Sequence, residues 1–311
     1  MWRRIVVALI ALACLFLVAG LAVREILPRN VTAISWSMES ENFGGWSAVD
    51  LLPDGVGFLA VGDAGAFTRG RLIREGGRLV AVEAGEPEWL KSDFGPWIYP
   101  FVEDAEGVSL ESDGTFLVSY ESNSRVWRHD PDGPLPERLA RSKAFYHMKA
   151  NGSLEALASL PDGTILTLPE KPDSKTTYPV YTYDGQSWRQ PFFLSRGFGW
   201  NAVGADFGPD GQLYLLERGF VGFGFRSRIR RFDISEADGI LDGEMLYKSL
   251  PGRHGNLEGI AIWQDDAERI RAVMVSDDNF LSFLRTQIVE VVLQEGRSIA
   301  KVIQRRPTSD R

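Results

Sequence analysis

The stretch DAEGVSLESDGTFLVSYE, Asp104 to Glu121, decides the fold. It opens on an acid and a glycine, then runs through a short alternating segment to an Asp-Gly pair. A second apolar run follows and ends in another acid. Alternation on both sides of Asp-Gly is the pattern of a tight β-hairpin. The phrase returns as SAVDLLPDGVGFLAVGD (Ser47–Asp63), EALASLPDGTILTLPE (Glu155–Glu170), VGADFGPDGQLYLLE (Val203–Glu217) and EGIAIWQDDAERIRAVMVSD (Glu258–Asp277). In every unit an Asp stands seven positions after the start: Asp54, Asp113, Asp162, Asp210 and Asp265.

The unit starts lie 59, 49, 48 and 55 residues apart. A period of about 50 residues with one hairpin per unit predicts an all-β propeller of four-stranded antiparallel blades. Five blades follow from the count. A sixth would have to come from the longer first spacing, around Trp89–Phe101, or be shared between the chain ends. Outer strands are expected at Arg125–Asp130, Val180–Asp184, Ser227–Ile234 and Thr286–Leu293. Val31–Met38 is strand-like and precedes the first unit, so it is expected to complete the last blade and remove the free edges. Two stacked β-sandwiches would leave the period unexplained, and no helical periodicity is sustained over the body.

Composition narrows the function. Of 311 residues, 44% are hydrophobic, enough for a large core. The net charge of −8 argues against a nucleic-acid binder, which needs a basic surface to displace counterions. The one cysteine, Cys14, lies in an N-terminal apolar run, so the body has no thiol nucleophile and no disulfide. His129, His147 and His254 are the only histidines, which leaves oxygen ligands for any metal.

Arg3 and Arg4 precede the apolar run Ile5–Val23. This reads as a secretory signal or an uncleaved membrane anchor. The expected organisation is a leader over residues 1–30, one propeller over 31–303 and a basic tail over 304–311. The body is expected outside the cytoplasm, periplasmic or secreted. Membrane contact is expected only through the leader, and the propeller is expected to be a monomer.

Hairpin geometry places the start of the first strand and the end of the second at the same end. Glu106 with Glu121 and Glu155 with Glu170 should therefore share one face. Asp63, Glu217, Glu258 and Asp277 occupy corresponding places. Together they predict a ring of carboxylates at one mouth of the central channel, with Asp104, Asp278, Asn256 and Asn279 nearby. Such a ring needs neutralising. Calcium, a hard cation with six to eight oxygen ligands, or internal pairing with Arg218, Arg196 or Arg226 would do so.

At this point the chain resembles a known family. The DAEG of Asp104–Gly107, the NLEG of Asn256–Gly259, the acid closing each hairpin and the SDDNF of Ser276–Phe280 look like the phytase-like β-propeller domain. That domain is labelled "esterase-like activity of phytase family protein" in exported bacterial proteins, and the resemblance spans roughly Phe43 to Leu293. It implies an extracytoplasmic propeller and hydrolysis of an ester or phosphoester. By analogy with alkaline propeller phytases, it also implies calcium at the acidic mouth. Two departures stand out. Such phytases have six blades, and they hold phosphate with several basic residues, where this chain offers only Arg218, Arg196, His254 and Lys171.

The chemistry expected of these residues is hydrolysis assisted by a calcium ion on Asp63, Asp104, Glu106, Glu155, Asn256, Glu258 and Asp277. Glu121 or Glu217 would accept the proton, Arg218 would hold an anionic group and His254 would assist. A lactonase or aryl-esterase propeller is the second reading, with Asn201, Asn256, Glu258 and Asp277 on one calcium. A non-catalytic binding or scaffold module is the third. In it the GFVGFGF loop, Gly219–Phe225, lines a pocket or a partner surface. A serine-hydrolase reading is poor, because no G-x-S-x-G is present and Gly45–Val49 lacks the last glycine.

Overall fold

A computed structural model describes residues 30–92, 104–235, 237–278 and 285–296. Among these residues the strands form five small sheets. The first blade runs Trp46–Leu51, Gly57–Gly62, Ala66–Glu75, Arg78–Ala84 from the inside out, with Glu88–Trp89 added to its third strand. The second is Ala105–Leu110, Phe116–Tyr120, Arg125–His129, Glu137–Arg138. The third is Leu154–Ser159, Ile165–Pro169, Thr177–Tyr183, Trp188–Ser195, and Ile240–Leu241 joins its edge in parallel. Asn201–Phe207, Leu213–Phe220, Phe225–Phe232 and Glu244–Lys248 make the fourth. The fifth combines Asn256–Gln264, Ile270–Asp277 and Gln287–Gln294 with Val31–Ser35 from the start of the domain.

The fold is therefore the five-bladed propeller that the repeat predicts. The inner strands neighbour one another in a closed ring, and Val31–Ser35 pairs with Gln287–Gln294 to close it. Most of the segment from which a sixth blade was considered, along with Asn279 and the basic tail, lies outside the described residues. Val31 pairs with Val291 and Ser35 with Gln287, so Asn30 leaves on the side of the hairpin turns. The apolar run Ile5–Val23 also lies outside the described residues. Among the described residues no helix is long and apolar enough to cross a membrane.

The hydrophobic core is not central. It divides into five clusters, one between each pair of adjacent blades. Alternation along each second strand sends Leu213 and Leu215 towards the third blade and Tyr214 and Leu216 towards the fifth. The repeated Asp residues cap the turns. Asp113, Asp162 and Asp210 each accept from the amide two residues on, at 2.9, 2.9 and 3.2 Å. The glycines that follow them have positive φ, +91°, +87° and +73°.

One irregularity recurs in every blade. The pairing of first and second strands shifts by one residue, so that Ser47, Glu106, Glu155, Val203 and Glu258 are each bulged out. A bulge re-aims a side chain at the price of one ladder hydrogen bond. The next residue is always small: Ala48, Gly107, Ala156, Gly204 or Gly259. A Cβ on Gly107 would overlap the Glu155 carbonyl oxygen, and one on Gly204 would lie 2.7 Å from that of Glu258. The small residue lets the neighbouring bulge come close. Gly107→Val is therefore expected to destabilise the fold by about 1–3 kcal/mol, read as a lower urea midpoint. An unchanged midpoint would show that the inner ring is loosely packed.

At the turn end of the channel, carboxylates stitch the exposed edges of the inner strands. Asp50 accepts from the Leu110 amide at 2.7 Å, and Asp206 accepts from the Ile262 amide at 2.5 Å. Each joins two neighbouring blades and satisfies an edge amide that no strand covers.

Candidate functional site: an acidic channel mouth

Two layers of side chains meet at the other end of the channel. The lower layer is set by the bulges, and three of the five carry glutamate: Glu106, Glu155 and Glu258. The upper layer is the residue just beyond each second strand's first bulge pairing. Backbone hydrogen bonds tie Asp63 to Gly45, Glu121 to Asp104 and Glu170 to Ser153, while strand pairing sets Asp277 opposite Asn256.

In the fourth blade this place belongs to Arg218, which pairs with Asn201. Glu217 stands one residue earlier, opposite Ala202. This corrects the placement of Glu217 in the carboxylate ring. A shift of one residue along a strand sends the side chain to the opposite face. Glu217 is accordingly sealed between the third and fourth blades. It is paired with Arg228 at 2.8 Å and Arg230 at 2.6 Å, and accepts from the Tyr178 hydroxyl at 3.2 Å. It is fully buried and has no route to the mouth as a proton acceptor.

Arg218 projects across the mouth instead. It donates to Glu170 and to the Asn256 amide oxygen, each at 2.7 Å, and ion-pairs with Glu258. Asn256 in turn donates to Glu258 at 2.8 Å, and Asn201 to Glu170 at 2.9 Å. Arg196 holds Asn201 at 2.8 Å, and Lys171 ion-pairs with Glu170. Burial pushes the Glu170 carboxyl up, but Arg218 and Lys171 outweigh it and hold it below the usual range. The Arg218 side of the mouth is thus paired with a cation, although burial still raises the Glu258 carboxyl, and Asn256 and Glu258 are engaged there.

The opposite side is not compensated. Among the described residues, the carboxylates of Glu106 and Glu155 accept no hydrogen bond. Burial raises the Glu106 carboxyl well above its ordinary value, and Glu258, Glu121, Asp104 and Asp63 add to it. Glu155 is raised likewise, by burial first and then by Glu170 and Glu106, with Arg218 offsetting only part of it. Asp63 is pushed up to about 6 by burial and by the charges of Glu258, Asp104 and Asp278, and its Oδ1 is buried without a partner. Asp104 sits at φ +41°, an uncommon conformation for a residue with a side chain, and accepts from Ser122. Glu121 accepts from the amides of Gly152 and Ser153, yet burial still raises it.

Oxygen atoms of Asp104, Glu106 and Glu121 lie within 4.8 Å of one another, and so do those of Glu121, Glu155 and Glu170. Glu121 belongs to both sets. These donors are all carboxylates, the ligand type of a hard divalent cation.

The remaining expected residues fall outside this cluster or at its edge. Asp277 is buried beside Asn256. His254 is buried and pushed down to about 4 by burial and by Arg253, so it is neutral at pH 7 and no ring carboxylate perturbs it. His129 is structural, bonded to the Tyr120 hydroxyl at 2.7 Å. Arg226 lies over Trp200, 4.3 Å from its ring centre. The loop 219–225 forms a hairpin above the fourth blade, with Phe220 and Phe223 exposed.

A cleft of about 300 Å³ is lined in part by Gly152, which donates to Glu121, and by Pro169 and Lys171, which flank Glu170, and sequence reasoning gave no sign of it. Its walls are distant in sequence, so no local pattern marks them. The bulges were open to detection: glutamate followed by glycine or alanine recurs in three units at the same place.

Fold and site define a five-bladed propeller with an acid-rich channel mouth. The family described as "Phytase-like: Esterase-like activity of phytase" matches residues 41–280, and the chain belongs to that family. No match was found among curated proteins. Several solved propellers are similar in outline. A gluconolactonase from Xanthomonas campestris is 14% identical, with a TM-score of 0.44, over 86% of this chain and 92% of its own. The calcium-binding protein regucalcin from Agrobacterium tumefaciens is 10% identical, with a TM-score of 0.45, over 81% and 91%. An aldose sugar dehydrogenase from Streptomyces coelicolor, bound to PQQ, is 13% identical, with a TM-score of 0.46, over 85% and 99%. At this distance function does not follow from fold.

Proposed function

We propose that the protein is an exported hydrolase that uses a calcium ion at the acidic mouth to cleave carboxylic esters. The observation that carries this reading is the pair of bulged glutamates, Glu106 half-buried and Glu155 buried, which accept no hydrogen bond and face further carboxylates. Glu106, Glu155, Glu121 and Asp104 would hold the ion, with Asp63 and Asp277 at the edge. When bound, calcium would supply a positive charge that polarises an ester carbonyl and acidifies a water. Glu121, whose carboxyl burial raises, would be the acceptor for the proton of a water acidified there. Arg218 orders Glu170 and Glu258 and keeps that side of the mouth neutral. Because its guanidinium is already shared between two carboxylates, a carboxylic ester suits the site better than a dianionic phosphate. Export rests on the basic start and apolar run at the N-terminus, and cell fractionation tests it.

Calcium and pH should act together on stability. Carboxyls raised above their unfolded values bind protons more tightly in the folded state. Their stabilising contribution is present at low pH and is lost as pH rises, here through about 6 for Asp63 and about 7 for Asp50. Without calcium, the melting temperature is expected to fall by about 5 °C or more between pH 5 and pH 8. Saturating calcium should recover the part due to the mouth. It should leave the slope due to Asp50 and Asp206, which lie at the other end of the channel. Hydrolysis of p-nitrophenyl esters, lactones and phosphomonoesters with and without calcium tests the activity itself. A calcium shift with no turnover would leave a cation-binding module, and neither shift nor turnover would sink the whole reading.

A further inference from the structure

The cleft beside the mouth lies between two walls. One is the short 3₁₀ turn Lys143–His147 with the segment that follows it, and the other is the outer part of the third blade. Its lining is apolar at Met148, Pro179 and Phe193 and charged at Lys149, Lys171 and Asp173. Two features make it a preformed pocket. Pro169, Pro172 and Pro179 stiffen the third-blade wall. Tyr181 is held edge-on by buried Phe145, with ring centroids 5.2 Å apart.

The cleft is also joined to the carboxylate ring. Gly152 lines it and donates its amide to Glu121. Lys171 lines it as well, and its ammonium reaches both Glu170 and, at 3.2 Å, the Asn151 side chain. Pro169 immediately precedes Glu170. A molecule whose reacting group lay at Glu121 would reach this cleft past Gly152. The volume is at the lower end of small-molecule pockets.

We infer that this cleft binds the apolar acyl portion of the ester, a short alkyl chain or a single aryl ring, while the carbonyl lies at the carboxylate ring. The inference rests on the hydrolase reading for the position of the carbonyl, but the pocket itself is testable without turnover. It makes the cleft, rather than the ring, the determinant of substrate choice.

Two measurements separate the pocket from the reaction. The first is binding of hexanamide, an uncharged chain that cannot act as an ester, followed by saturation-transfer NMR on the full-length protein. Binding is expected for the wild type and is expected to disappear in Met148→Trp, which fills the cleft. Tyr181→Ala, which removes one wall, should weaken it and serves if the tryptophan variant does not fold. The second is the ratio of kcat/KM for p-nitrophenyl hexanoate to that for the acetate. The wild type should favour hexanoate by about 10-fold or more, and Met148→Trp should bring the ratio to within about 2-fold of one. Absent hexanamide binding, or binding that both variants retain, overturns the inference whatever the turnover. Binding that the variants lose, with no ester cleaved, supports the pocket and removes the hydrolase reading instead.

Discussion

Glu155→Gln is expected to abolish the calcium-induced rise in melting temperature and to lower kcat/KM for an ester by at least about 100-fold. Glutamine keeps the volume of the side chain and removes only its charge and one strong ligand oxygen. Without calcium the same substitution should act in the opposite direction. The buried Glu155 faces Glu170 and Glu106, and burial and these neighbours raise its carboxyl well above the ordinary value although Arg218 works against them. Removing it relieves the repulsion, so the cation-free variant should melt higher than the cation-free wild type at pH 8, with the difference vanishing towards pH 5. A purely structural glutamate would not give this crossing. Melting curves at the two pH values with calcium and with chelator decide the matter, and an unchanged calcium affinity would remove Glu155 from the site.

Glu217→Ala should be the most damaging single change to the fold away from the mouth. Glu217 compensates two buried guanidiniums, Arg228 and Arg230, through four hydrogen bonds of 2.6 to 3.0 Å. Truncation leaves both charges between blades without a counter-charge, although Arg230 keeps its bonds to Ser195, and this costs about 3–5 kcal/mol. The Tyr178 hydroxyl keeps its bond to the Trp200 carbonyl at 2.8 Å, so the tyrosine itself should stay in place. The expected result is a large drop in the urea midpoint with turnover per folded molecule within about 2-fold of the wild type. Loss of turnover at full stability would return Glu217 to the reaction centre.

The contrast between these two glutamates shows how far the sequence could be read. Periodicity carried the architecture, because each blade repeats its turn chemistry: Asp54, Asp113, Asp162, Asp210 and Asp265 all cap turns. It also carried the closing strand at Val31 and the meeting of acids from different hairpins at one end. It did not carry side-chain direction. Glutamate followed by a small residue marks the bulges at Glu106 and Glu155, but where a bulge aims its side chain is set by the pairing of two strands and is not written in either alone. The fourth unit did contain a clue. From Val203 to Glu217 it runs one residue shorter than from Glu106 to Glu121 or from Glu155 to Glu170, and restoring the common length lands on Arg218. Matching residues by charge rather than by count hid the arginine that neutralises half of the mouth.

The closing strand also fixes how the domain hangs from whatever precedes it. Asn30 emerges on the turn side, and only Arg24 to Arg29 separate it from the end of the apolar run at Val23. Six residues reach at most about 20 Å when fully extended. If that run stays in a bilayer, the propeller is held on a short leash by its turn side, close to the lipid surface, with the acidic opening turned towards the aqueous compartment. A reporter or affinity handle joined at residue 30 would sit on the same side and leave the opening unobstructed.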